Sequence, residues 1–203
     1  MSLLKIQYRM HEDIMRFPSR WFYHDELEAA PEVKYRGILD FDTPASWIDT
    51  SELDLQEKAV AEGTGRLNTG EAELLVRELK NYMERIGIRR ILEEHIDFGV
   101  ISPYRAQVHY LRHLLKKEPF FRPCRRLITV HTVDGFQGQE RDVIMISLVR
   151  ANEKGQIGFL RDLRRMNVAI TRARMKLLIL GEAVTLTRHP FYRELYEYIG
   201  GLR

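Results

Sequence analysis

The chain has 203 residues, of which 44% are hydrophobic and 30% are charged, and this balance is typical of a folded protein with a substantial core. Its formal net charge of +3 is too small to indicate a polyanionic partner by itself. The single cysteine, Cys124, excludes a disulfide within the chain, and no apolar run is long enough for a bilayer span or a signal peptide, so we expect a cytoplasmic protein without a membrane partner.

The first third of the sequence mixes regular elements with irregular chain. Apolar side chains at helical spacing predict a helix over residues 9–22, which Pro18 should disturb. Residues 24–68 contain glycines, prolines and many polar side chains, and this composition predicts an irregular insertion or loop region. Within it, residues 46–49 form one plausible short strand.

The remainder of the chain alternates between helices and strands. A helix is predicted from Glu71 to about Ile86, with Thr69 as its N-cap. Further strands are predicted at 98–102, 127–130, 143–149 and 176–180, and further helices after Pro103, over 164–174 and at about 190–199. This order predicts an α/β fold with a mostly parallel sheet, in which functional loops gather at one edge.

Basic residues are distributed unevenly. One group lies on and around the helix predicted over 164–174, and it consists of Arg161, Arg164, Arg165, Arg172, Arg174 and Lys176. A smaller group consists of Arg122, Arg125 and Arg126. Because arginine keeps its charge and offers a fork of donors that fits phosphate oxygens, the larger group favours a nucleotide or nucleic-acid ligand. The spacing of Arg165 and Arg172, two helical turns, is equally compatible with an ordinary solvated helix face.

Three short blocks concentrate the polar residues with chemical potential. They are residues 7–11 (Gln-Tyr-Arg-Met-His), residues 132–140 (Thr-Val-Asp-Gly-Phe-Gln-Gly-Gln-Glu) and residues 164–174 (Arg-Arg-Met-Asn-Val-Ala-Ile-Thr-Arg-Ala-Arg). No Gly-x-x-x-x-Gly-Lys-Ser/Thr phosphate loop occurs, and the strand at 143–149 does not end in an Asp-Glu pair. His11 and His131 have no second ligand at suitable spacing, so we expect no metal site.

The three blocks, in this order and spacing, resemble motifs IV, V and VI of superfamily 1 helicases of the up-frameshift-like branch, and the resemblance runs from Gln7 to Gly181. It implies a three-layer, RecA-like domain of the P-loop NTPase type that lacks its own P-loop. Residues 1–203 would then form one domain, the second RecA-like domain of a helicase. ATP and Mg²⁺ would be held mainly by a first RecA-like domain, the expected partner, and neither should bind this chain tightly.

The resemblance also implies roles for individual residues. Arg9 and Arg172 would be catalytic arginine fingers at the γ-phosphate. The nucleotide-binding residues would be Tyr8 against the adenine, Glu140 at the ribose and Gln137 near the phosphates. Single-stranded DNA or RNA would pass Pro103, Tyr104, Thr132, the backbone near Val133, and Asn152. Tyr104 offers a stacking face for a base, although a partly buried aromatic after a proline turn explains it equally well.

The function implied is that of the C-terminal motor domain of an ATP-dependent helicase, catalytically inactive on its own because the phosphate loop and the acidic pair are missing. The alternative is a non-catalytic nucleic-acid or protein-docking module that retains a helicase fold. No motif reports on a 2′-hydroxyl, so the sequence leaves DNA and RNA open as substrates.

Overall fold

A five-stranded parallel sheet occupies the centre of the chain in the computed structural model, which describes residues 5–60 and 65–202. In chain order its strands are β1 (Ala45–Asp49), β2 (Phe98–Ser102), β3 (Ile128–Thr132), β4 (Arg141–Ser147) and β5 (Ala173–Gly181). They lie in the order β1-β5-β4-β2-β3, and every neighbouring pair is parallel. All strand carboxyl ends therefore meet at one edge of the sheet.

Alternating side chains of each strand fill two separate apolar cores. In β4, for example, Ile144 and Ile146 pack on one face while Val143 and Met145 pack on the other. Successive residues of a strand point to opposite faces, so a strand buried on both faces must be apolar at nearly every position. The apolar runs of the sequence are explained by this arrangement.

Helices cover both faces. They are α1 (Glu12–Phe22), α2 (Thr69–Ile86), α3 (Ile88–Glu94), α4 (Arg105–Lys117), α5 (Leu163–Ile170) and α6 (Pro190–Gly200). Helices α1, α5 and α6 share one core, and α2, α3 and α4 share the other. The predicted fold class, a three-layer α/β domain with a parallel sheet, is confirmed by these layers.

Several element boundaries differ from the predictions. Helix α1 begins only at Glu12, where the His11 ring accepts a hydrogen bond from the Asp13 amide, and it continues through the buried Pro18. The N-cap of α2 is Asn68 rather than Thr69, because the Asn68 Oδ1 atom accepts a hydrogen bond of 3.0 Å from the Glu71 amide.

The helix predicted over 164–174 is shorter than expected. Helix α5 ends at Ile170, and the Thr171 hydroxyl donates back to the Asn167 carbonyl at 2.8 Å. The fully buried Ala173 then begins β5. Arg165 and Arg172 therefore do not share a helix face, since Arg172 lies beyond the helix.

The stretch 24–68 contains more regular structure than predicted. Besides β1, it carries the short helix Pro31–Lys34 and two-residue strands at Glu28–Ala29, Lys58–Ala59 and Arg66–Leu67. The strand Glu28–Ala29 pairs with Ile6–Gln7, and the other two pair with each other. A further short helix, Ala183–Leu186, precedes α6. No helix in the described ranges combines the length and apolar character needed to cross a membrane.

Candidate functional site

The residues singled out from the sequence fall into two groups at opposite edges of the sheet. Glu140 immediately precedes β4 and Arg172 immediately precedes β5, so both lie at the edge where strands begin. Pro103 follows β2 and Thr132 ends β3, which places them at the edge where strands end. The structure thus separates the predicted nucleotide residues from the predicted nucleic-acid residues.

Three arginines surround one carboxylate at the first edge, and we call Arg9, Glu140, Arg172 and Arg174 the arginine cluster. The Arg9 guanidinium pairs with the Glu140 carboxylate and also donates to the Thr171 carbonyl at 3.3 Å. The Arg174 Nε atom lies 3.9 Å from the other Glu140 oxygen. The cluster combines side chains from the two ends of the sequence around a single negative charge.

Arg172 is held in this cluster by backbone carbonyls. Its Nη1 atom donates to the Gln139 carbonyl at 3.1 Å and its Nε atom to the Val168 carbonyl at 3.2 Å. Burial lowers the pKa of Arg172, the positive charge of Arg9 lowers it further, and Glu140 acts in the opposite direction. The two guanidinium groups are therefore close enough to repel each other, and an anion placed between them would relieve that repulsion.

The turn before α1 fixes the position of Arg9. The Gln7 side chain accepts hydrogen bonds from the Arg9 and Met10 amides at 2.9 and 2.7 Å and donates to the Met10 carbonyl at 2.8 Å. The His11 amide donates to the Arg174 carbonyl at 2.8 Å, which attaches the turn to β5. Tyr8 projects from this turn and is 66% exposed, so its ring is accessible to a ligand.

Two aspartates, Asp97 and Asp142, contact the arginine cluster through Arg174. Asp97 and Asp142 exchange backbone-to-carboxylate hydrogen bonds of 3.1 and 2.7 Å between β2 and β4. Arg174 donates to both Asp97 oxygens, at 3.3 and 3.2 Å. Burial and the neighbouring Asp97 raise the pKa of Asp142, while Arg174 lowers it. Sequence reasoning missed these two aspartates because each stands alone beside a strand.

The segment between β3 and β4 meets the predictions only partly. Gln137 is exposed, and within the described residues its side chain makes no hydrogen bond to the arginine cluster. Gln139, which was not predicted, lies closer: its carbonyl holds Arg172, and its side-chain oxygen accepts from Arg141 at 2.9 Å. Glu140 is already paired with Arg9, so any ribose contact would have to compete with that pair.

A cleft of about 920 Å³ lies at the opposite edge, where β2 and β3 end. Its lining includes Pro103, Arg105, Arg112, Thr132, Phe159 and Arg165. We call it the strand-end cleft. Pro103 and Thr132, which were predicted to lie along one nucleic-acid path, both line this cleft, whereas Asn152 does not.

Tyr104 also lines the strand-end cleft, but the structure leaves little of its ring open for the predicted stacking. Tyr104 is only 2% exposed, and its hydroxyl accepts a hydrogen bond of 3.3 Å from Arg150. A base cannot stack on a ring that is covered by its own domain. The Val133 side chain is also buried, which leaves only its backbone for the predicted phosphate contact.

Asn152 is engaged within the domain. Its side-chain amide donates to Glu57 at 3.2 Å and to the Gln156 carbonyl at 2.9 Å. The same Glu57 oxygen accepts from the Arg150 guanidinium and from the Ala151 amide, both at 2.8 Å. Glu57 thereby ties the segment before residue 60 to the loop after β4. This contact was not predictable from the sequence, since Glu57 lies in a polar stretch without periodicity.

No group of three His, Cys, Asp or Glu side chains in residues 5–60 and 65–202 is arranged to hold a metal ion. Cys124 is buried, and burial raises the pKa of its thiol.

The parallel sheet with helices on both faces has the three-layer α/β architecture expected of a RecA-like domain. The sequence matches the family described as "AAA domain" over residues 1–184. It is 38% identical over 201 residues to the probable helicase MAGATAMA 3 of Arabidopsis thaliana, and the alignment covers 97% of this chain and 24% of that protein. It is 39% identical over 204 residues to the DNA polymerase alpha-associated DNA helicase A of Saccharomyces cerevisiae, covering 92% of this chain and 28% of that protein.

A third relative is the regulator of nonsense transcripts 1 homolog of Neurospora crassa, 36% identical over 197 residues, with 95% of this chain and 18% of that protein covered. The chain belongs to this AAA domain family and is a C-terminal, second RecA-like domain of the up-frameshift-like branch of superfamily 1 helicases. It spans less than a third of the length of each of the three relatives, at 24%, 28% and 18%.

Proposed function

We propose that this chain is the C-terminal motor domain of an ATP-dependent nucleic-acid helicase and supplies two arginine fingers, Arg9 and Arg172. The observation that carries the proposal is their convergence: one precedes α1, the other precedes β5, and both lie beside Glu140 at one edge of the sheet. Such a pair of cations on an accessible edge suits the polyphosphate of a nucleotide held across a domain interface.

ATP and Mg²⁺ would be held mainly by a first RecA-like domain that faces this edge. Arg9 would exchange the Glu140 carboxylate for phosphate oxygens, and Arg172 would exchange the Gln139 carbonyl. Both groups would neutralise the charge that develops during phosphoryl transfer, and a finger of this kind contributes roughly 10³–10⁵ in rate. Tyr8 would lie against the adenine, Gln137 near the phosphates, and Glu140, once released, at the ribose.

The strand-end cleft would carry a single strand of DNA or RNA. Pro103, Thr132 and the backbone of Val133 would line its path, with Arg105 and Arg112 contributing attraction to phosphates. The two ligands would then occupy opposite edges of one rigid sheet, and movement of this domain against the first domain would connect ATP turnover to movement along the strand.

The proposal is tested in a protein that joins this chain to a P-loop-bearing first domain. We expect Arg9→Ala and Arg172→Ala each to reduce strand-stimulated ATP hydrolysis at least about 10³-fold while ATP binding persists, because a finger acts in the transition state. Arg89→Ala is the matched control, since Arg89 is an exposed helix arginine paired with Glu93 at 2.7 Å.

Unchanged hydrolysis in both cluster variants would refute the finger assignment. The chain alone should show no hydrolysis above buffer, because it has no phosphate loop. A joined protein that binds nucleic acid but shows no ATP hydrolysis in its parent form would favour the non-catalytic docking module instead.

A further inference from the structure

Phe159 is an exposed aromatic residue in the strand-end cleft, outside the residues predicted above to contact a ligand. It lies in the turn Gly158–Arg161, and 43% of it is exposed. It lines the strand-end cleft and also a second cleft of about 410 Å³ that includes Arg66, Arg150 and Arg161. The ring therefore stands on the ridge between two concave surfaces.

The turn that presents Phe159 is held firmly on both sides. Ile157 and Leu160 are buried in the core, and the Leu160 carbonyl accepts a hydrogen bond of 2.7 Å from the buried Tyr192 hydroxyl. Gly158 has a φ of +55°, and a Cβ atom there would lie 2.3 Å from the Arg150 guanidinium. The positive φ and the close approach to Arg150 both favour glycine here, and this turn sets the position of Phe159.

Tyr104 forms the support behind the ring. The two ring centroids are 5.5 Å apart and the planes are inclined at 44°. Tyr104 is buried and its hydroxyl accepts a hydrogen bond from Arg150, and both features hold it beside Phe159. Phe159 thus packs against a buried ring on one side, and the rest of it faces solvent.

The surroundings of the ring are cationic. Arg105 lies in the same cleft and Arg161 at the end of the same turn, and neither pairs with a carboxylate anywhere in the described ranges. A rigid aromatic face flanked by unpaired arginines provides both components of single-strand binding, namely base stacking and attraction to the backbone.

We propose that Phe159 is a stacking platform for a base of single-stranded nucleic acid, with Tyr104 as its buried support. The inference rests on the proposed strand path through the strand-end cleft and adds the residue that grips a base. Stacking on an aromatic side chain tolerates any base, so Phe159 should confer affinity without sequence preference.

The test uses the 203-residue chain and an oligonucleotide that carries 2-aminopurine, whose fluorescence is quenched when it stacks. Titrations at low salt and high protein concentration measure affinity for the parent, Phe159→Ala, Phe159→Leu and Phe159→Trp. We expect Phe159→Ala and Phe159→Leu to lose about 5- to 150-fold in affinity, while Phe159→Trp retains it. Phe159→Leu keeps apolar bulk without a π-face, so it separates stacking from a packing role.

Phe41→Ala is the matched control, because Phe41 is fully exposed in the loop before β1 and lines neither cleft. The parent should bind an oligonucleotide with abasic positions more weakly than the intact oligonucleotide. The Phe159→Ala variant should bind the abasic oligonucleotide no more weakly than the intact one. Salt-sensitive binding by the parent with an unchanged Phe159→Ala variant would overturn the stacking platform alone. No binding by the parent would overturn the strand path and the platform together.

Discussion

The two edges of the sheet each contain an arginine paired with a glutamate, in opposite environments. At the edge where strands begin, the Arg9 and Glu140 side chains are both 38% exposed. At the edge where strands end, the Arg150 and Glu57 side chains are 5% and 11% exposed. The same chemical pair can therefore exchange partners at one edge and is enclosed at the other.

The difference in burial determines what each pair contributes. An accessible ion pair is worth only about 0–1 kcal/mol, because water compensates for its loss. Removing one partner of a buried pair costs about 3–5 kcal/mol, because the remaining charge stays buried without compensation. We infer that Glu57 and Arg150 shape the domain, whereas Arg9 and Glu140 remain available to a ligand.

The strongest test of this contrast is Glu57→Ala. It leaves Arg150 buried without its carboxylate and removes the acceptor for the Ala151 amide, so we expect a loss of about 3–5 kcal/mol in the free energy of unfolding. Urea unfolding followed by circular dichroism measures the change. Glu52→Ala, at a neighbouring exposed carboxylate, is the control. A loss below about 1 kcal/mol would show that burial does not distinguish the two pairs.

A second buried carboxylate lies at the same edge as Glu57. The Glu71 Oε1 atom accepts from the Ser147 hydroxyl at 2.6 Å and from the Val149 amide at 2.9 Å, while its Oε2 atom is buried without a partner in the described residues. Burial raises the pKa of Glu71 from 4.5 to about 7, although these two hydrogen bonds oppose the rise.

The raised pKa of Glu71 predicts a loss of stability as pH rises from mildly acidic to neutral. The folded state binds the proton more tightly than the unfolded state, so the contribution is complete below the unfolded pKa of 4.5 and disappears as pH rises through about 7. We expect stability to fall by up to about 3 kcal/mol across this window.

The measurement is urea unfolding at pH 5.5 and pH 8 for the parent and for Glu71→Gln. Glutamine keeps the Oε1 acceptor for Ser147 and Val149 but does not titrate, so the variant should lose most of the pH dependence. Equal pH dependence in the two proteins would contradict the raised pKa.

The parallel sheet was predictable because its strands are apolar on both faces, a pattern that few other structures require. The residues 143–149 predicted as a strand overlap Arg141–Ser147, and 98–102 was predicted with the bounds observed. The end of α5 was not predictable from periodicity, since Ala173 suits a helix as well as a strand, and its burial beside β4 decides the matter. Long-range packing sets such boundaries, and the local spacing of apolar residues does not predict it.

The site residues also divide into those that the sequence predicted and those that tertiary contacts alone reveal. The motif blocks identified Arg9 and Arg172, and the fold brings them to one carboxylate. The burial of Tyr104 was not predictable, because its neighbours include Phe159 and Arg150, which lie far along the chain. Glu57 was overlooked for the same reason: its importance arises from the loop it contacts, after β4. Residue type indicates what a side chain can do, and only tertiary contacts decide whether it is accessible.

The smallest expected effect on stability completes the comparison. Arg9→Ala removes an accessible ion pair and one hydrogen bond of 3.3 Å, and Arg172→Ala removes two hydrogen bonds to carbonyls, so each should change the free energy of unfolding by no more than about 1 kcal/mol. Arg172→Ala should lose less stability than its two hydrogen bonds alone would suggest, because the substitution also removes the repulsion between Arg172 and Arg9. Urea unfolding of both variants beside Glu57→Ala provides the measurement.

Residues that cost little to remove from the fold yet abolish hydrolysis in the joined protein are positioned for a ligand rather than for folding. A loss as large as that of Glu57→Ala would instead make the arginine cluster a structural anchor, and the finger assignment would lose its physical basis.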